Sequence, residues 1–404
     1  MSKYRLGVFI DHTFYGRGGG YVAADYILKL LASTNEFEIF LYTGNTLNIK
    51  HKTIKEDVLP FLKARYKPDL FFNIITHKGC LEKILSSVDI VYIPVLSYPI
   101  IPIAKKLKKR VIVHLHGFDP ISYTATILAN EDEKFLKDLK KTVLIKYSDR
   151  GLVGILMNLP FTFLPILERS WIRQADAIIC VSERHKELLA KYMPESKDKL
   201  HVVYNPPPKD IPVLRKFIKD PIFLYVGGSL YIKGFHILTR TLEIIGAKSL
   251  GKNLKFSLAG TYYAKHLAKL YLIKKRYNLN LEIVGWLNRY QITELYPYSY
   301  ALLFPSIVEE PLPYSVLESM VSNTLPIASR VGGVPEIVNG TFAEKLLIKP
   351  MDENDLIEKI ITVASMSNRS IIDKSSKLRE HIIKKFNIED IKSKLLQLYF
   401  YCLE

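Results

Sequence analysis

Two glutamates eight residues apart, Glu310 and Glu318, bracket a proline-rich segment that runs Pro305-Ser306-Ile307-Val308-Glu309-Glu310-Pro311-Leu312-Pro313-Tyr314-Ser315. Pro311 and Pro313 favour an extended path and then a helix start near Pro313, so Glu310 falls in a strand-to-helix loop. Glu318 then stands about one and a half turns into the helix. The first N–H groups of such a helix have no partner within it and attract phosphate oxygens, whereas carboxylates accept hydrogen bonds from sugar hydroxyls. Amides for phosphate beside acids for hydroxyls describe a nucleotide-sugar site. A pair of glycosidase carboxylates is the weaker reading, because nothing in the spacing fixes the roughly 5 Å separation that a retaining glycosidase requires.

Three further constellations carry chemistry. In Val226-Gly227-Gly228-Ser229-Leu230-Tyr231-Ile232-Lys233-Gly234, a lysine in a glycine turn between strand and helix can neutralise a diphosphate. Near the N-terminus, Gly16-Arg17-Gly18-Gly19-Gly20 follows a strand that ends at Asp11 and leads into a helix, which suits an anion. A dinucleotide fingerprint would need a third glycine where Tyr21 stands and an acid near the end of the second strand, which closes Leu41-Tyr42-Thr43-Gly44 instead. His114 and His116 alternate on one strand and share a face. With no third ligand at a persuasive spacing, a metal site is disfavoured, and His116 is read as a substrate contact at the strand end.

The elements that hold these residues alternate short apolar or β-branched runs with helical patterns. Strands are expected at Tyr4 to Ile10, Phe37 to Tyr42, Ile90 to Pro94, Arg110 to Leu115, Ala177 to Val181 and Leu200 to Tyr204, with a helix over Tyr21 to Leu31. Pro206-Pro207-Pro208 opens an interdomain linker over 206–219. The rhythm then restarts at Ile222 to Val226 and continues through Lys255 to Leu258, Leu281 to Val284, Ala301 to Phe304 and Leu325 to Ala328. Helices are expected over Phe235 to Ile245 and Ser315 to Val321. Two tandem α/β domains result, 1–205 and 220–385, and an amphipathic helix within 386–404 packs back on the first. Ligands of such parallel sheets bind outside the carboxyl ends of the strands.

Composition narrows the partners. The 404 residues carry 57 Lys and Arg against 40 Asp and Glu, a formal net charge of +17, which points to acidic partners: phosphorylated molecules, an anionic membrane or nucleic acid. No recognition motif accompanies the lysines, which disfavours nucleic acid. Three scattered cysteines exclude a disulfide framework and fit a reducing cytoplasm. The apolar stretch Leu152 to Leu167 is too short for a spanning helix and is interrupted by Asn158, Pro160 and Pro165. It reads as a buried core helix, or else as an interfacial segment that Lys140, Lys141, Lys146 and Arg150 would hold to anionic head groups.

Together these residues resemble the retaining glycosyltransferases of family 4 over nearly the whole chain. The resemblance rests on Glu310 and Glu318, on Leu325-Pro326-Ile327-Ala328 and Gly332-Gly333-Val334-Pro335-Glu336-Ile337-Val338, on Lys233-Gly234, on Ala175 to Ser182, on His116-Gly117 and on Gly18 to Gly20. It implies the GT-B fold, two Rossmann-like domains whose parallel sheets face a central cleft. It also implies transfer of a sugar with retention, from a UDP- or GDP-sugar to an acceptor hydroxyl in glycan, glycolipid or polysaccharide synthesis, with no cofactor and no metal.

Carried over, Glu310 contacts the donor sugar hydroxyls, Glu318 the ribose and Lys233 the diphosphate, while His116 touches the transferred sugar and the Gly18-Gly19 backbone faces the diphosphate across the cleft. Gly285 and Trp286 form the nucleobase pocket, and Gly228, Ser306, Leu312, Pro313 and Tyr314 complete the donor set. The catalytic residues implied are Glu310, His116 and Lys233. Three positions depart from the family pattern: Gly228 stands where many members carry arginine, Pro206 where a glycine is common, and Asn323 where a glycine is usual. A non-catalytic nucleotide-sugar-binding subunit, or another GT-B enzyme such as a 2-epimerase or a phosphorylase, is the alternative. The expected acceptor is lipid-linked or a saccharide, at the cytoplasmic face of a membrane.

Overall fold

The computed structural model describes residues 3–11, 18–47, 51–131, 135–208, 211, 222–250 and 253–404. They form two compact units, one of Met1–Thr126, Pro160–Pro206 and Phe386–Glu404, the other of Ile127–Leu159 and Pro207–Lys385.

In the first unit the strands are β1 (Tyr4–Ile10), β2 (Phe37–Thr43), β3 (Ile54–Val58), β4 (Ile90–Ile93), β5 (Arg110–Leu115), β6 (Ala177–Cys180) and β7 (Leu200–Val202). They lie in the order β3-β2-β1-β4-β5-β6-β7, and every neighbouring pair is parallel. Strands β4 and β6 are buried along their whole length, which is why they read as unbroken apolar runs: helices cover both faces of a parallel sheet. The last helix, Ile388–Leu403, completes this unit. Its Tyr399 is fully buried, with its ring 5.4 Å from that of Phe37 and 5.9 Å from that of Tyr92.

The second unit holds β8 (Ile222–Val226), β9 (Lys255–Ala259), β10 (Asn280–Gly285), β11 (Ala301–Phe304), β12 (Leu325–Ser329) and β13 (Leu347–Ile348). They form a six-stranded parallel sheet in the order β10-β9-β8-β11-β12-β13. Each sheet reverses its strand order once, where β1 meets β4 and where β8 meets β11. The crevice at the carboxyl ends of such neighbours is where open α/β sheets bind ligands.

Several expectations change. Residues 127–159, assigned from sequence to the first domain, belong to the second unit. Leu128 forms an antiparallel bridge with Val308, and the N–H of Glu309 donates to Ile127 O at 2.7 Å. The Asp149 carboxylate also accepts the N–H of Tyr231. The stretch Leu152 to Leu167 is not a buried helix. The helix Phe135–Asn158 breaks at Gly151 (φ +66), and beyond the break Leu152, Val153 and Leu156 are more than three-fifths exposed. Among the described residues no single helix is long and apolar enough to cross a membrane. Strand β3, Ile-Lys-Glu-Asp-Val, is an edge strand that buries only its first residue, so it carries no apolar run to read. The expected linker over 206–219 lies, apart from Pro206 to Pro208 and Ile211, outside the described residues.

Candidate active site

The site in the second unit begins with two turns made adjacent by strand pairing. Because β11 lies directly beside β8, the turn after β8 abuts the turn after β11. The contact is close: Gly234 has φ +72, and a Cβ built on it would lie 1.8 Å from the carbonyl oxygen of Pro305. No other residue type fits there. A Cβ on Gly227 would likewise meet the Tyr225 hydroxyl at 2.3 Å, and that buried hydroxyl donates to the carbonyl of Lys233 at 3.3 Å. The N–H of Ile307 donates to Ile232 O at 3.1 Å and ties the turns together. Lys233 Nζ thereby reaches Glu310 Oε1 at 2.6 Å, with the two side chains 31% and 14% exposed.

The backbone of Glu310 is fixed from the other side. Gly332 has φ +50, and a Cβ on it would lie 1.9 Å from the Glu310 carbonyl oxygen, which accepts the N–H of Gly333 at 2.9 Å. The preceding carboxylate, Glu309, is buried and accepts the N–H of Gly332 at 2.6 Å. Adjacent glutamates thus divide their work, Glu309 holding the loop and Glu310 meeting Lys233. Ser306 is almost wholly buried, its hydroxyl 3.0 Å from Glu310 Oε1 and 3.1 Å from Ile232 O. It braces the carboxylate from beneath. Leu312, Pro313 and Tyr314 are buried at the start of the helix Tyr314–Val321, whose N-cap, Pro313, supplies no side-chain cap. The amides of a helix start without a side-chain cap favour an anion.

Glu318 is the fifth residue of that helix. Burial pushes its carboxyl above the usual range, and Arg289 and the Tyr296 hydroxyl oppose the shift. Arg289 Nη2 lies 3.0 Å from one carboxylate oxygen, and Tyr296 donates to the other at 3.2 Å. Neither partner was marked by the sequence pattern. Gly285 ends β10 with φ +82, its carbonyl accepting the N–H of Gly260 at 2.7 Å, and the Trp286 ring beyond it is 64% exposed. Gly228 has φ +56, with Thr261 O 2.5 Å from the site of its missing Cβ. On this backbone that position cannot carry the arginine common in the family. Asn323 takes up the left-handed conformation (φ +58) that the usual glycine would provide, which asparagine tolerates.

In the first unit, Gly18 caps the helix Gly19–Ser33 without a side-chain hydrogen bond. Gly16 and Arg17 of the same loop lie outside the described residues. A Cβ on Gly20 would fall 2.9 Å from Cβ of His116, so the third glycine is the one that lets the helix start rest on the histidine. Both ring nitrogens of His116 are buried without a hydrogen-bond partner among the described residues. The ring stacks on His114 at 4.3 Å, and His114 Nδ1 shares a 2.9 Å hydrogen bond with the Tyr92 hydroxyl. Burial, aided by His185, lowers the His116 pKa to about 3, so the ring is neutral at physiological pH. Three residues further on, Asp119 shares the buried Lys67 with Glu168, each 2.9 Å from Nζ. Burial raises the Glu168 carboxyl to about 8, since one ammonium serves two acids. Among the described residues no three His, Cys, Asp or Glu side chains are grouped to hold a metal ion.

Two Rossmann-like parallel sheets, of seven and six strands, define the fold class as GT-B. The sequence pattern described as "Glycosyltransferase Family 4" matches residues 17–207, and that of "Glycosyl transferases group 1" matches residues 208–385. The chain belongs to this glycosyltransferase family. No curated protein sequence matches it. Solved structures share its fold. Sucrose-phosphate synthase from Thermosynechococcus elongatus superposes with a TM-score of 0.72 at 17% identity over 99% of both chains. Anabaena HepE, in complex with UDP and glucose, gives 0.64 at 15% identity over 97% of this chain and 98% of its own. A structure described as trehalose-6-phosphate from Escherichia coli bound with UDP-2-fluoro glucose gives 0.66 at 13% identity over 97% of this chain and 98% of its own.

The glycine contacts yield a direct check. Gly234→Ala is expected to destabilise the protein by about 2 kcal/mol or more, because it combines a positive φ with a backbone clash. Gly18→Ala, with φ −51 and no atom of the described residues within 4 Å of the added Cβ, should cost less than about 1 kcal/mol, the loss of a glycine N-cap. Denaturant titration of both variants measures this, and equal midpoints would refute the packing role of Gly234.

Proposed function

We propose that the chain transfers a sugar from a nucleoside diphosphate sugar, a UDP- or GDP-sugar, to an acceptor hydroxyl with retention of configuration and without a metal. The observation that carries this is the 2.6 Å pair of Lys233 and Glu310 at the carboxyl ends of β8 and β11. A donor separates the two groups by giving each a better partner: Lys233 takes the diphosphate, and Glu310 accepts bonds from the sugar hydroxyls. Glu318 holds the ribose diol and Trp286 the base. The bond from the anomeric carbon to the diphosphate breaks through an oxocarbenium-like state as the acceptor oxygen bonds to that carbon and passes its proton to the departing diphosphate. Charge grows on the departing diphosphate, where Lys233 and the amides of the Leu312 to Tyr314 segment stabilise it. His116 is assigned to the transferred sugar. Its neutral, unpartnered ring nitrogens suit a hydroxyl, and the amides at Gly18 and Gly19 suit the diphosphate. HepE, a structural neighbour, carries UDP and glucose in its solved complex.

Lys233→Ala and Glu310→Ala should each cut transfer by the purified protein at least about tenfold, an effect of about 1.4 kcal/mol on the transition state. Full activity in both variants would remove the site assignment.

The acceptor we propose is lipid-linked, at an anionic cytoplasmic membrane face. Leu152, Val153 and Leu156 are exposed on the helix Phe135–Asn158, and in the other unit Phe163, Ile166 and Leu167 are exposed around the start of the helix Leu164–Ile172. Lys137, Lys140 and Arg150 are exposed on the first of these helices and complement anionic head groups. Lys141 does not contribute, being buried in a 3.1 Å pair with Asp138. The protein should sediment with phosphatidylglycerol vesicles at low salt, and the double variant Leu152→Asp, Leu156→Asp should remain in solution with its donor binding intact. Wild-type protein that leaves such vesicles unbound would overturn the membrane assignment.

A further inference from the structure

We infer that Arg289 reads the donor's diphosphate, supplying in this chain the second positive charge that Gly228 excludes. The inference rests on the donor site proposed above and adds a residue to it. Arg289 is the first residue of the helix Arg289–Leu295, three residues beyond Trp286. Its guanidinium stands in two relations at once: Nη2 is 3.0 Å from Glu318 Oε1, and its central carbon lies 5.6 Å from the ring centroid of Tyr314. Tyr314 is the first residue of the helix whose amides are assigned to phosphate. The cation is therefore stationed between the ribose carboxylate and the phosphate-binding helix start.

The pairing in the empty site has a physical reason. Glu318 is 7% exposed, and a buried carboxylate left alone would be strongly disfavoured. Arg289 and Tyr296 compensate it until a ribose diol arrives. A diol donating to Glu318 then competes with the guanidinium for that carboxylate. Of the groups a nucleoside diphosphate brings, the phosphates are the ones that fit a planar fork of five N–H donors. One residue thus guards the ribose acid in the free protein and binds phosphate in the complex. The left-handed backbone at Gly228, pressed against Thr261 O, leaves no room for a second cationic side chain at that position of the turn.

Calorimetric titration of the full-length protein with UDP, GDP and the corresponding nucleosides separates this role from a structural one. Arg289→Met keeps the aliphatic stem and removes the charge. It should weaken the favoured nucleoside diphosphate at least about tenfold while the nucleoside alone changes less than about twofold. Arg289→Lys, which keeps the charge without the fork, should recover part of the loss. Equal losses for nucleoside and diphosphate would mean that Arg289 only orients Glu318 and would overturn the inference, as would unchanged affinity for both. Wild-type protein that binds no nucleoside diphosphate would instead overturn the donor site itself. Thermal melts of each variant distinguish a lost contact from a lost fold.

Discussion

The contact on which the candidate site depends is that of Gly234 against the carbonyl of Pro305. It exists because β8 and β11 are parallel neighbours although far apart in sequence, so their carboxyl-terminal turns must share one small volume. Everything else in the second unit's site follows from that proximity. The Tyr225 hydroxyl fixes the carbonyl of Lys233, and Ser306 supports the Glu310 carboxylate. Gly332 allows a third segment to press on the Glu310 backbone from behind. Gly227, Gly234 and Gly332, at positive φ or under steric contact, are therefore structural requirements of a charge pair.

The electrostatics have one theme. Both donor-site carboxylates are paired with cations in the unliganded protein, Glu310 with Lys233 and Glu318 with Arg289. Burying an uncompensated carboxylate is costly, and each pair offsets that cost. A donor exchanges these internal pairs for cation–phosphate and carboxylate–hydroxyl contacts, so affinity reports a difference between two well-paired states. Groups already in place need little reorganisation as charge develops on the leaving diphosphate.

Much of this was legible in the sequence, for reasons that can be traced to particular residues. The inner strands β4 and β11 are apolar throughout because helices cover both faces of a parallel sheet, and such runs survive in one dimension. Lys233, Glu310 and Glu318 stand in motifs whose spacing encodes a strand, a turn and a helix. Arg289 was not legible, since a lone arginine at a polar helix start looks like any solvated cation until folding brings Glu318 to it. Residues 127–159 join the second unit partly through backbone hydrogen bonds to Ile307 and Glu309, which leave no side-chain signature. Leu152 to Leu167 misled because apolarity records a preference for burial and does not say whether the fold provides a cover. Ser306 was read as a donor contact from its motif, and its burial under Glu310 depends on the turn after β8.

The central claim is that a donor opens the Lys233–Glu310 pair. A crystal structure of the protein soaked with UDP-glucose, or with the nucleoside diphosphate sugar it binds most tightly, measures this directly. Lys233 Nζ on a diphosphate oxygen, with Glu310 on the sugar hydroxyls, is the expected result. A bound donor beside an intact 2.6 Å Lys233–Glu310 pair would contradict it.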